Sequence, residues 1–119
     1  MQHTTYMEIT GANQGLLSRN CSDNDTHKDK IQVHYLELSK SSDDLSYIET
    51  IILEKNVDGS SPLLLNAIDK NENLELTIFQ CVDGKIEHQF KFKNAFIERI
   101  DTKFLDESSP YEKIQIKIA

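Results

Sequence analysis

The chain has no tryptophan, and aromatic residues fill only 8% of its 119 positions. A platform for stacking bases or sugars is therefore poorly supplied. Positive charge is short as well: 13 Lys and Arg stand against 20 Asp and Glu, a net of −7. Phosphate binding needs a basic face that releases counterions, so the balance argues against a nucleic-acid partner. An acidic surface instead serves solubility, or recognition across paired charges. No apolar run approaches the roughly 18 to 20 residues that span a bilayer, so no membrane insertion is expected. The opening "MQHTTYMEITGANQG" is polar and poor in positive charge, unlike a signal or transit peptide. The expectation is a protein that starts in the cytoplasm and, if exported, leaves without a cleavable signal.

Cys21 and Cys81 are the two cysteines, too few and too far apart for a disulfide framework. Free thiols are expected. Asn20-Cys21-Ser22 and Asn24-Asp25-Thr26 fit the glycosylation acceptor pattern, but without a signal peptide neither meets the machinery. Cys21, His27 and His34 are spaced C-x5-H-x6-H, which matches no standard zinc pattern. The early glycines are followed by no GK[ST], so a phosphate cradle is absent, and there is no G-x-S-x-G elbow. Asp43-Asp44 and Asp106-Glu107 fall in turns, where solvated charge is the simpler explanation. A soluble protein without catalytic, metal or cofactor site is the reading these absences give.

Strands are what the sequence does supply. "TTYMEIT" (4–10) reads as a first strand ending at Gly11, followed by a long loop rich in Gly, Asn, Asp and Ser. "KIQVHYLEL" alternates through Ile31, Val33 and Tyr35, then shifts phase to Leu36 and Leu38, which predicts a bulge or bend. After "SKSSDD", "LSYIETIILEK" (45–55) forms a second long strand. Asp83-Gly84 sits between "LELTIFQCV" and "KIEHQFKFKNAFI", a strong hairpin signal. In the latter arm Ile86, His88, Phe90 and Phe92 share one face, with Lys85, Glu87, Gln89, Lys91 and Lys93 on the other. The final "YEKIQIKIA" turns Ile114, Ile116 and Ile118 inward. With few prolines to blunt strand edges, the edges need closure or assembly.

One helix interrupts the strands. In "VDGSSPLLLNAIDKNEN", Asp58-Gly59 makes a turn, Ser61 is placed to cap a helix and Pro62 to open it. Leu64, Leu65 and Ile68 form its apolar stripe, and Asn71 or Asn73 suits a left-handed cap. So short a helix is not stable alone, so its stripe must pack on a sheet or close a barrel end. The fold class expected is mainly β: a small antiparallel barrel or sandwich of two packed sheets with one short helix, in a single domain over 1–119.

These same segments carry a resemblance. "YMEITGANQGLLSRNCS" is similar to the opening of the haemolysin-coregulated proteins (Hcp), tube components of bacterial type VI secretion. "ILEKNVDGSSPLLLNAIDKNENLELTIF" resembles that family's strand–turn–helix–strand block, with Lys55, Asp58, Ser60, Ser61, Pro62, Leu63, Leu64, Ala67, Asn71, Glu72, Leu74 and Glu75 at matching positions. "FKFKNAFIERI" resembles the strand that follows. The resemblance implies a non-enzymatic structural protein whose copies form hexameric rings, stack into a tube and are exported through the apparatus, with small effectors carried in the lumen. Its partners would be further copies of itself, the spike and sheath, and those effectors. Asp58, Ser60, Ser61, Pro62, Leu64 and Ala67 would be the fold-defining motif. The short loop of Ser39, Lys40, Ser41, Ser42, Asp43 and Asp44 stands where members carry a ring-stacking loop. The chain ends at "IQIKIA", short of the family's usual final segment, which keeps a monomeric adaptor or effector-binding module as the alternative.

Overall fold

The computed structural model describes residues 2–19, 21, 29–40, 49–104 and 110–118. Seven strands and one helix follow in chain order: β1 (His3–Gly11), β2 (Gly15–Leu16), β3 (Ile31–Ser39), β4 (Thr50–Asn56), α1 (Ser61–Asp69), β5 (Leu74–Val82), β6 (Lys85–Lys103) and β7 (Tyr111–Ile118). The sheet runs β2-β1-β3-β4-β7-β6-β5, and β5 pairs back onto β1. Six strands thus close an antiparallel barrel, with β2 as a short extra strand on β1. Closure satisfies the main-chain groups that an open sheet would leave exposed at β1 and β5.

The interior follows from period-two alternation. Met7 and Ile9 from β1, Ile51 and Leu53 from β4, Leu76 and Ile78 from β5, and Ile114 and Ile116 from β7 point into one apolar core. Each such side chain contributes roughly 1.5–3 kcal/mol of burial. Tyr6, Phe79 and Cys81 form a separate small cluster, with the Lys30 ammonium 4.4 Å from the centre of the Phe79 ring.

The phase shift in β3 is a bulge. Val33 pairs with Lys55 but Tyr35 with Glu54, so His34 is the extra residue and Leu36 rejoins Leu53 on the inner face. β6 is more irregular. It runs for 19 residues, pairing with β5 up to Ala95 and with β7 from Ala95 onward. Its register slips at Glu87, again between Phe92 and Ala95, and again at Glu98. Asn94, at φ 57°, sits in the second slip. Each bulge turns the strand and resets its faces, which is how one strand serves both halves of the barrel.

Two expectations change here. Ile86, His88, Phe90 and Phe92 do not share one buried face: the slip at Glu87 puts Ile86 opposite Cys81 and His88 opposite Gln80. Residues 85–91 are exposed on both faces. The helix stripe is also rotated: Leu64 and Ala67 enter the core, with Leu63 and Ile68 partly buried against it, while Leu65 is half exposed. Asn71 is the left-handed residue after the helix, at φ 49°.

Candidate functional site

Polar side chains that are buried rather than solvated gather at the two ends of α1. At its start, Lys55 lies on β4 in phase with Ile51 and Leu53, and so points inward; it is fully buried. Its register partner on β7 is Glu112, in phase with Ile114 and Ile116. Lys55 Nζ lies 2.6 Å from Glu112 Oε1 and 3.1 Å from Asp58 Oδ1. The Ser61 hydroxyl donates to Glu112 Oε1 at 2.7 Å and accepts from the Asp58 N–H at 3.0 Å. Asp58 Oδ1 in turn accepts from both the N–H and the hydroxyl of Ser60. Removing two ions from water costs several kcal/mol each, and only such dense hydrogen bonding offsets it.

The motif serine therefore does not cap the helix. Ser60 occupies the cap position with no side-chain capping bond: its hydroxyl donates to Asp58 Oδ1, while the Ser61 hydroxyl donates to Glu112. The turn is closed instead by the Asp58 carboxylate. Cys21 adjoins this cluster; burial, and then the charge of Asp58, push its thiol up, while hydrogen bonds with Ser60 act the other way. A raised thiol is a poor nucleophile.

The other end of α1 is built around Glu72, which is almost fully buried. Its Oε2 accepts the N–H groups of Asn13 and Gln14, each at 2.8 Å, and its Oε1 accepts from the Gln14 amide at 2.7 Å. Gln14 also donates to the Leu63 carbonyl and accepts from Asn66, both on α1. Burial alone would raise the Glu72 carboxyl; the hydrogen bonds from Gln14 and Asn13, with the nearby Lys70 charge, outweigh it and hold the carboxyl low. Gly11 is required here by close approach, since a Cβ there would run into the Glu72 carboxylate.

Of the motif residues singled out in the sequence, Asp58, Ser60 and Ser61 meet in the first cluster, Leu64 and Ala67 lie in the core, and Pro62 is exposed on the first turn. Ser39 ends β3 and Lys40 follows it exposed; Ser41, Ser42, Asp43 and Asp44 lie outside the described residues, as does His27. The partners that motif reading missed are Glu112 and Gln14. Each had a signal: Glu112 is in phase with the inward isoleucines of β7, and Gln14 stands in the early Gly-rich turn. Among the described residues no three of His, Cys, Asp and Glu gather in a metal-binding group. A groove of about 450 Å³ borders His3, Thr5, Cys81, Glu87 and His88. No helix among the described residues is long and apolar enough to cross a membrane.

The two clusters tie together the segments that the sequence resemblance had picked out separately, the opening block and the strand–helix–strand block. The model of the family described as "Type VI secretion system effector, Hcp" matches residues 6–118. The chain belongs to the Hcp family. Among solved structures, one described as an Hcp protein superposes with a TM-score of 0.82 at 21% identity, covering 97% of this chain and 87% of that one. The secreted protein Hcp3 from Pseudomonas aeruginosa gives 0.78 at 24%, covering 98% and 86%. A type VI secretion effector from Yersinia pestis gives 0.75 at 19%, covering 96% and 83%. At these identities the structures establish the Hcp fold. No curated protein sequence matches the chain. Hcp is a structural family of type VI secretion rather than an enzyme family.

Proposed function

We propose that this Hcp chain is, as one domain over 1–119, the ring subunit of a type VI secretion tube. Six copies close a ring, rings stack into a tube, and the tube is exported through the apparatus from the cytoplasm without a signal peptide, carrying small effectors in its lumen. Its partners in this reading are other copies, the spike and sheath, and those effectors; neither catalysis nor a cofactor is involved. The motif residues Asp58, Ser60, Ser61, Pro62, Leu64 and Ala67 fix the helix against the barrel, and the loop from Ser39 to Asp44 takes part in stacking.

The observation that carries the reading, beyond family membership, is the arm of β6. Residues 85–91 expose both faces, with Ile86 and Phe90 among the exposed large apolar side chains. A two-sided strand arm of this kind is poorly protected in a lone molecule and well used at a subunit contact. Negative-stain electron microscopy of the purified protein tests it. Annular particles with six-fold averages are expected; particles no larger than one chain at every concentration would overturn it and favour the monomeric adaptor.

A further inference from the structure

The acidic excess is not spread evenly: β6 and β7 together hold more Lys and Arg than Asp and Glu, although the chain carries −7 overall. On β7, Glu112, Ile114 and Ile116 point inward, so Tyr111, Lys113, Gln115 and Lys117 share the outer face. Register places Lys103 of β6 beside Tyr111, Asp101 beside Lys113 and Arg99 beside Gln115, with Glu54 of β4 on the other side of Lys113. These neighbours, Lys117 apart, line a groove of about 380 Å³. Its carboxylates are partly committed. Asp101 is held by Arg99 at 2.7 Å, and Glu98, beside the groove, accepts from the Gln115 amide at 3.3 Å. Glu54 remains to offset Lys103 and Lys113. Asp106 and Glu107, which follow Lys103 in sequence, lie outside the described residues. Among the described residues, none of Lys103, Lys113 and Lys117 joins an ion pair.

We propose that this outer face of β6 and β7 is a docking strip for an extended acidic segment of a partner protein, whose carboxylates are taken by Lys103, Lys113 and Lys117. It rests on the effector-carrying part of the ring reading for the kind of partner, and adds the chemistry of the segment that docks. Spacing supports it. Lys113 is the diagonal neighbour of Lys103, at ~7–8 Å, close to the ~7 Å between alternate residues of an extended peptide. Lys117 lies further along β7, roughly 13 Å from Lys113. Carboxylates at every second position of an extended segment therefore meet the lysines, and Tyr111 and Gln115 between them offer hydrogen bonds. A polyphosphate fits less well, because Glu54 and Asp101 stand among the cations and the acidic molecule as a whole repels it. Exposed charge pairs of this kind favour fast encounter over tight binding and are screened by salt, which suits a cargo that is later released.

Fluorescence anisotropy of a labelled deca-glutamate peptide, titrated with the purified protein in low salt, tests it. Saturable binding is expected, weakened about ten-fold by Lys103→Gln with Lys113→Gln and weakened further by added salt. Arg19→Gln with Lys70→Gln removes the same charge elsewhere and should change binding by less than about two-fold. No binding, or an equal loss in both double variants, would overturn the strip. So would a labelled oligothymidylate of the same length that binds as tightly as the peptide, since that marks a general anion surface. Should Lys103→Gln with Lys113→Gln lose the wild-type circular dichroism spectrum, carbodiimide coupling of the peptide to the wild type decides. Links at Lys103, Lys113 or Lys117, mapped by mass spectrometry, support the strip; links only at other lysines overturn it. The ring reading is judged separately by mass in the same samples. A monomer that binds the peptide at these lysines keeps the strip and removes the ring, whereas a ring that fails to bind removes the strip and leaves the ring.

Discussion

Lys55 has no solvent exposure and touches two carboxylates, Glu112 at 2.6 Å and Asp58 at 3.1 Å. Removing one member of such a group leaves an uncompensated buried charge. Lys55→Met should therefore lose about 3–5 kcal/mol of stability in urea unfolding, and the double change Lys55→Met with Glu112→Leu should recover much of that loss. A double variant no better than the single would contradict the coupling. Glu72 gives a pH signature. Its folded carboxyl titrates below its ordinary value, so its contribution is complete above the unfolded value of about 4.3 and is lost as pH falls through the folded one. The stability gap between wild type and Glu72→Gln should be constant near neutrality and narrow in acid; a gap unchanged through the acid range would contradict it. The sequence showed these residues as a motif but not their partners. The Lys55–Glu112 contact joins positions 57 apart, and pairing at that range depends on barrel register, which a local pattern does not carry.

α1 and β6 mark how far elements were legible. The helix, its breaker Asn71, the Asp83-Gly84 turn with both residues at positive φ, and the β3 bulge all left local signals, and all are present. The face of the helix was not legible, because leucines at 63, 64 and 65 allow several stripes and only packing on the barrel selects Leu64 and Ala67. Leu64→Ala should cost about 2–5 kcal/mol, whereas Leu65→Ala, on the exposed side, should stay within about 0.5 kcal/mol; equal losses in chemical denaturation would contradict the observed face. The three slips in β6 were hidden too, since its alternation of apolar and charged residues reads as a flat strand. At Asn94, φ 57° is open to Asn or Gly but strained for a β-branched residue. Asn94→Val should cost about 1–2 kcal/mol while Asn94→Gly is tolerated, measured by thermal unfolding.

At the scale of the whole molecule, the acidic composition with few prolines posed the question of how strand edges are protected. Closure of β1 on β5 answers part of it, and among the described strands part of β3 and part of β6 pair on one side only. Family membership was legible because the resembling blocks hold the residues that pin the helix at both ends. Whether and how copies associate was not legible, since that depends on how one barrel would meet another. The most direct measurement is multi-angle light scattering on a size-exclusion column, over a range of protein concentration and salt. A ring subunit requires a species of six times 13.7 kDa that persists on dilution. A single species of 13.7 kDa even at high concentration would contradict it.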